Sequence, residues 1–340
     1  MGKHSRAGLK DYYATLQVHP KARQEVIEAA HRALLRLYHP DLAGGSEHRA
    51  QDINEAYQTV SDSRARERYD AELRLAGEDA LGNYRILDFI AEGGFGKTYK
   101  GEHIPTGLPV CIKDCSNVPP EYHETLIEEA RAMWDLRHHA IPAVRDVVRQ
   151  ADGSVALVMS YIPGHTLAKY VETHGRMDPE HVAWIAERVL NALKYIHFHG
   201  VIHGDLKPQN IIVQAESHLA VLVDFGLSMV KPTSKSVSKG YTELFAPPES
   251  VDGEPLVPES DLYSLGMTMI YALGDVEGLK RKQVPSDTPR PLRHFINRLI
   301  VRNVRERPRW ENEDLCDTIH HVREESFGRA RSGMKPLPSM

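Results

Sequence analysis

Three short motifs hold side chains that could move a phosphoryl group. Asp205 and Asn210 lie five positions apart in His203-Gly204-Asp205-Leu206-Lys207-Pro208-Gln209-Asn210. One loop therefore offers an acceptor for the proton of an attacking hydroxyl and an oxygen ligand for a metal ion. Asp224-Phe225-Gly226 follows Val221-Leu222-Val223, which reads as a buried strand, and supplies a second metal ligand. Val110-Cys111-Ile112-Lys113 reads as another strand, whose alternation puts Cys111 and Lys113 on one face. One of them can roof a flat base while the other reaches phosphates. Phosphoryl transfer asks little covalent chemistry of a protein; it needs charge neutralised and two oxygens held in line. A cation, two metal ligands and a base meet that need together.

These groups must be positioned by elements that the sequence also marks. Ile90-Ala91-Glu92-Gly93-Gly94-Phe95-Gly96-Lys97-Thr98-Tyr99 follows the short strand Tyr84 to Phe89, and its glycines let backbone amides approach phosphate oxygens. Alone this is a weak signal, and an isolated Gly93 to Gly96 reads by default as only a tight hairpin. Thr125 to Arg137 reads as a helix with Glu129 and Met133 on one side, where a carboxylate can pair with Lys113; Glu128 is an equal candidate on spacing. His197, His199 and His203 have a spacing that could suggest metal ligation, but they approach the loop of Asp205 and Asn210, and a packed, hydrogen-bonded role is expected instead of a zinc site.

The first seventy residues follow a different, helical pattern. Ala22 to Tyr38 reads as an amphipathic helix, with Val26, Ala30, Ala33, Leu34 and Leu37 as its apolar stripe and Arg32 and Arg36 opposite. A second helix, about Glu47 to Val60, carries Ile53, Ala56, Tyr57 and Val60. The two form an antiparallel hairpin whose loop holds His39-Pro40-Asp41, and the proline ends the first helix at His39.

At 340 residues, with 41% hydrophobic and 26% charged residues, the chain has room for about two globular domains. A net charge of -5 gives no footprint for nucleic acid or an anionic membrane, and residues 1–80 hide no basic arm, with 12 Lys/Arg against 13 Asp/Glu. Cys111, Cys115 and Cys316 cannot form a disulfide framework and lack CxxC spacing, which suits a reducing compartment. Met1 to Lys10 has no apolar signal-peptide stretch, and no run is long enough to span a bilayer, so a cytoplasmic location is expected.

Asn83 to about Glu325 resembles the eukaryotic-type Ser/Thr protein kinase family. The resemblance implies ATP and Mg²⁺. It implies that Lys113 contacts the ATP phosphates and Glu129 orients it, that Asp205 is the base, and that Asn210 and Asp224 hold the metal. Lys207 would steady the γ-phosphate, and Thr242 would face Asp205. Ala91, Gly93, Gly94, Phe95 and Gly96 form the loop over the phosphates. Thr98, Cys111 and Ile212 would enclose adenine, with Met159 as gatekeeper and Ser160, Tyr161 and Ile162 as hinge. Pro247-Pro248-Glu249 stands at the Ala-Pro-Glu position with Arg307 as partner, and Asp261 would anchor the catalytic loop. Ala91 departs from the family at the first loop glycine. Gly204 stands where the family usually has the arginine that pairs with an activation-loop phosphate, so activity without phosphorylation of Thr233, Ser234, Ser236 or Ser238 is expected. The interval from Asp261 to Arg307 is short for the family, so the helix that often docks protein substrates is expected to be trimmed.

The N-terminal pattern resembles the J-domain family, through Asp11-Tyr12-Tyr13 with Leu16, His39-Pro40-Asp41, Asn54-Glu55-Ala56-Tyr57 and Arg68-Tyr69-Asp70. His31 stands where that family often has tyrosine. The resemblance implies binding of a DnaK-type chaperone through Arg32, Arg36, His39, Pro40 and Asp41, with stimulation of its ATPase.

The expectation is a multidomain chain: an all-α J-domain helical hairpin at 9–72, a linker at 73–82, an α+β bilobal protein-kinase fold at 83–325 and a disordered tail at 326–340. It would phosphorylate protein serine or threonine and recruit a chaperone, with no nucleic-acid or membrane partner. The alternatives are a pseudokinase scaffold acting mainly as a co-chaperone, and a small-molecule kinase of the same fold.

Overall fold

The computed structural model describes residues 10–20, 22–38, 46–75, 80–93, 96–116, 119, 121–150, 153–230, 232, 242–274, 276–328, 334–338 and 340. His39-Pro40-Asp41, Gly94, Phe95, Thr233, Ser234, Ser236 and Ser238 lie outside the described residues. Two compact units divide the chain, residues 1–88 with 100–109 and residues 89–99 with 110–340.

In the first unit Asp11 opens α1 (Tyr12–Thr15), its carboxylate accepting from the Ala14 amide at 2.9 Å. Helices α2 (Gln24–Tyr38) and α3 (Glu47–Ser61) form the hairpin, and Ser46 caps α3. α4 (Ser63–Leu75) closes over them. The apolar stripe of α2 differs from the expected one. Val26 and Leu37 are 51% and 66% exposed, and Ile27 and Leu34 are the buried residues. Val26 and Ile27 are adjacent and both apolar, so a 3.6-residue period fits either phase, and packing against Ile53, Ala56 and Val60 of α3 selects Ile27. His31 accepts its place by hydrogen-bonding Asn54 Oδ1 at 3.0 Å and stacking on Tyr57 with ring centroids 3.9 Å apart. The Tyr69 hydroxyl accepts from the Tyr12 amide and donates to the Lys10 carbonyl, each at 2.8 Å, tying α4 to α1. Beyond α4, β1 (Ala80–Leu81) pairs antiparallel with the start of β2 (Tyr84–Gly93), so the junction ends in a strand. β2 runs four residues past the strand expected at Tyr84 to Phe89.

The second unit takes β2 from Phe89, β3 (Gly96–His103) as far as Tyr99 and β4 (Leu108–Asp114) from Val110, then α5 (Glu121–Met133), β5 (Val144–Arg149) and β6 (Val155–Ser160). Its sheet runs in the order β2-β3-β4-β6-β5. α5 begins and ends four residues before the helix expected at Thr125 to Arg137, keeping Glu129 and Met133 inside it. The chain continues through β7 (His165–Thr166), α6 (Leu167–His174), α7 (Pro179–Phe198) and β8 (Val201–Ile202). A 3-10 turn (Pro208–Asn210) leads to β9 (Ile211–Gln214), β10 (Leu219–Leu222) and β11 (Met229–Val230). Small sheets form as β10-β9-β7 and β11-β8. Helices α8 (Pro248–Val251), α9 (Pro258–Leu273), α10 (Val276–Arg281), α11 (Arg290–Leu299) and α12 (Leu315–Phe327) complete the unit.

α9 is buried along most of its length, with Pro258, Glu259 and Tyr271 half-buried, and it forms part of the main core with α7 and α11. The segment expected as a disordered tail differs from that expectation where it is described. Ser326 and Phe327 close α12, and Met334 and Leu337 pack on the main core. The Lys335 carbonyl lies 3.0 Å from His181 Nε2, and Lys335 Nζ 2.6 Å from Asp178. Two apolar side chains and a backbone bond hold a stretch that lacks periodicity, which is why composition alone misses it.

Candidate active site

The geometry rests on Asp261, in the first turn of α9. Its carboxylate accepts from the backbone amides of His203 at 2.8 Å and Gly204 at 2.9 Å. His197 Nε2 lies 2.8 Å from the same carboxylate. Trp310 Nε1 donates to His197 Nδ1 at 2.9 Å, so the ring proton sits on Nε2 and is donated to Asp261. Burial alone would raise the Asp261 carboxyl, but the His197 bond outweighs it and holds it below the usual carboxylate range. The other two histidines face backbone carbonyls, His199 at Tyr195 and His203 at Val223.

The loop so fixed presents Asp205 between two donors. Thr242 donates its hydroxyl to Asp205 Oδ1 at 2.8 Å, and Lys207 Nζ lies 2.6 Å from Oδ2 and 2.9 Å from the Thr242 oxygen. Asn210 Nδ2 donates to the Asp205 carbonyl at 2.8 Å, which turns its amide oxygen outward from that bond. The Val223 amide donates to the Asn210 carbonyl at 2.9 Å, tying the loop to the strand end before Asp224.

Asp224 has φ of +64°, in the left-handed region that side chains with a Cβ seldom adopt. There its Oδ1 lies 2.7 Å from Lys113 Nζ, which also bonds Glu129 Oε2 at 2.7 Å. The Phe225 amide donates to the other Glu129 oxygen at 3.1 Å. Glu129 is buried and Glu128 exposed, which decides between the two carboxylates that spacing left equal. Burial would lower the Lys113 ammonium, but Asp224 and Glu129 more than reverse it and keep it charged. Burial raises the Glu129 carboxyl. Burial also pushes Asp224 upward, yet Lys113 overcomes this and holds it at about 2.

Across the sheet, Cys111 on β4 stands directly opposite Met159 on β6, so both point to one face beside Lys113. Burial pushes the Cys111 thiol up to about 11, which favours its neutral form. Ala91 and Gly93 are exposed on β2, and Thr98 on β3 and Ile212 on β9 are half-buried. Gly96 has φ of +121°, and a Cβ there would collide with the Asp114 carbonyl, so the close approach of β3 to β4 requires glycine. The Ser160 backbone amide donates to the Ala143 carbonyl at 2.9 Å, and its hydroxyl accepts from the Ala143 amide at 2.9 Å. Tyr161 and Ile162 follow, half-buried. The Arg307 guanidinium grips Glu249 with two bonds of 2.7 and 2.8 Å, and Ser260 adds a third at 2.7 Å.

The donor set fits a hard divalent cation. Among the described residues no hydrogen bond engages Asn210 Oδ1 or Asp224 Oδ2, and Mg²⁺ is bound by one or two such oxygens with water and phosphates. Sequence reasoning missed Trp310, Ser260 and the Phe225 amide. Trp310 acts on a partner 113 positions away, where spacing carries no signal.

The model of the protein kinase domain family matches residues 84–319, and that of the DnaJ domain matches residues 11–70. Serine/threonine-protein kinase D of Synechocystis sp. is 36% identical over 214 residues, covering 57% of this chain and 41% of that protein. Serine/threonine-protein kinase ppk25 of Schizosaccharomyces pombe is 31% identical over 244 residues, with 70% and 55% covered. Serine/threonine-protein kinase 36 of Pongo abelii is 30% identical over 256 residues, with 70% and 19% covered. The chain thus spans about half or less of the length of these relatives.

Proposed function

The chain belongs to the protein kinase family, with a DnaJ domain ahead of the kinase domain, and from that premise we propose that it transfers the γ-phosphate of ATP to serine or threonine hydroxyls of proteins. The observation that carries the reading is the Asp205 carboxylate held between Lys207 and Thr242. Asp205 takes the proton of the attacking hydroxyl as its oxygen bonds to the γ-phosphorus and the bond to the β-phosphate oxygen breaks, releasing ADP. Lys207 neutralises charge on the transferring group. Lys113, braced by Glu129, holds the ATP phosphates. Asn210 and Asp224 would hold Mg²⁺, which would supply charge neutralisation when bound. Cys111, Met159 and Ile212 bound the adenine site, with Thr98 beside them.

Transfer of labelled phosphate to a generic protein substrate, compared with Asp205→Asn, tests this. The variant should lose about 10²–10⁴-fold in rate. Equal rates would remove the enzymatic reading and leave a nucleotide-binding scaffold.

The N-terminal domain, on this proposal, engages a DnaK-type chaperone through His39-Pro40-Asp41 and the exposed Arg32 and Arg36 of α2. The support is the DnaJ domain match together with the basic exposed face. Wild-type chain should stimulate a DnaK-type ATPase and His39→Gln should not; a wild type without effect sinks this half alone.

A further inference from the structure

Gly204 is more than a missing cation. Its φ is +77°, and a Cβ built there would lie 2.8 Å from the Leu227 carbonyl oxygen and 3.3 Å from Leu256 Cδ1. The space that any side chain at 204 would enter is closed by backbone on one side and by Leu256 on the other. Arginine could not be restored there without moving the segment after Asp224.

An apolar cluster occupies that place. Ile202, Met229 and Leu256 pack together apart from the main core, with Leu256 only 2% exposed. Ile202 stands directly opposite Met229 in the β8–β11 pair. Ile202 lies three residues before Asp205, and Met229 five residues after Asp224. Leu256 comes from a third stretch, between α8 and α9, flanked by Pro255 and Val257-Pro258. That stretch is itself fixed. The Glu254 amide donates to the Glu249 carbonyl at 2.8 Å, the Val257 amide donates to the Ser260 hydroxyl at 3.1 Å, and Glu249 is held by Arg307. Beside the cluster lies a cavity of about 620 Å³ whose lining includes Glu249 and Glu254 and, among the described residues, no lysine or arginine. A phosphate there would meet carboxylate and apolar surface, with no cation among the described lining residues to pair it.

We propose that Leu256 is a positioning residue for phosphoryl transfer: by packing on Ile202 and Met229 over Gly204, it holds the segments bearing Asp205 and Asp224 in register, in place of phosphate-dependent pairing. This rests on the kinase reading above. Leu256 touches neither substrate nor metal; it acts through the strand pair at the edge of the loop.

The test uses the full chain, with kcat and KM for ATP measured on a generic protein substrate, before and after treatment with a Ser/Thr phosphatase. Leu256→Ala should lower kcat on the order of ten- to a hundred-fold, the scale of a small misplacement of reacting groups. KM for ATP should stay within about two-fold, since the nucleotide contacts are unaltered. Leu256→Met should restore most of kcat. Leu292→Ala, a comparable deletion in the main core, should lower Tm without lowering kcat of the folded protein, a split that a merely structural role for Leu256 would not produce. Wild type should keep its rate after phosphatase. A folded Leu256→Ala with wild-type kcat overturns the proposal, as does a wild type inactivated by phosphatase. If Leu256→Ala does not fold, Met229→Ala is read in the same way. A wild type with no transfer at all, matching Asp205→Asn, removes the kinase reading itself and is thereby distinguished.

Discussion

Two lysines, each with two carboxylates, sit at opposite depths in this molecule. Lys10 lies 3.1 Å from Asp52 and 2.6 Å from Glu55, bracing α3 of the helical unit with its side chain 55% exposed. Lys113 lies 2.7 Å from both Glu129 and Asp224 with its side chain 9% exposed. In the exposed triad both carboxyls move the same way, downward, chiefly through the hydrogen bonds of Lys10. Around Lys113, where Glu129 is buried and the Asp224 side chain 43% exposed, they part. Burial raises Glu129, while Lys113 overcomes burial at Asp224 and holds it low. The same three groups give a brace that water screens, or an unequal set that the fold must keep intact.

Removing the buried lysine should break the comparison hardest. Lys113→Met leaves Glu129 and Asp224 without their cation, so stability should fall by about 3–5 kcal/mol and labelled phosphate transfer by about 10²-fold or more. A urea melt no more displaced than that of a surface variant would show that depth does not matter here.

Acid sharpens the contrast. Asp224 is held at about 2 against an ordinary 3.8, so the unfolded chain takes up its proton first. The stability it contributes is complete above 3.8 and disappears as pH falls through about 2. The difference in unfolding free energy between wild type and Asp224→Asn should therefore shrink across that window. It should shrink only in part near 1 M salt, where the Debye length is about 3 Å, because Lys113 is buried while the Asp224 side chain is 43% exposed. An equal slope in both proteins would refute the assignment.

The smallest effect belongs to Lys10→Ala. Its ion pairs face solvent, so Tm should stay close to wild type and any loss should vanish on adding salt. A large, salt-resistant drop would mean that the Lys10 carbonyl bond to Tyr69 depends on the side chain.

What could be read before the fold was known followed from chemistry that repeats at fixed intervals. Asp205, Lys207 and Asn210 share one loop, and their order survives folding unchanged. Lys113 also declares itself, because an alternating strand fixes which way a residue points, whereas the α5 spacing leaves Glu128 and Glu129 equal. The choice of Glu129 over Glu128, however, is made by the Phe225 amide, whose place depends on the whole unit. The α2 stripe failed for a related reason. Adjacent apolar residues leave the phase of a helix open until a partner surface selects one. Trp310 and Met334 were invisible because each meets its partner far along the chain, and a lone apolar or aromatic residue carries no spacing to read.

The three donors converging on Asp261 carry a consequence for motion. The His203 and Gly204 amides both end on a carboxylate in the first turn of a helix buried along most of its length. Deuterium can reach them only when that helix leaves its seat, which is close to opening the unit as a whole. The slowest-exchanging amides in this chain should then include two from a loop.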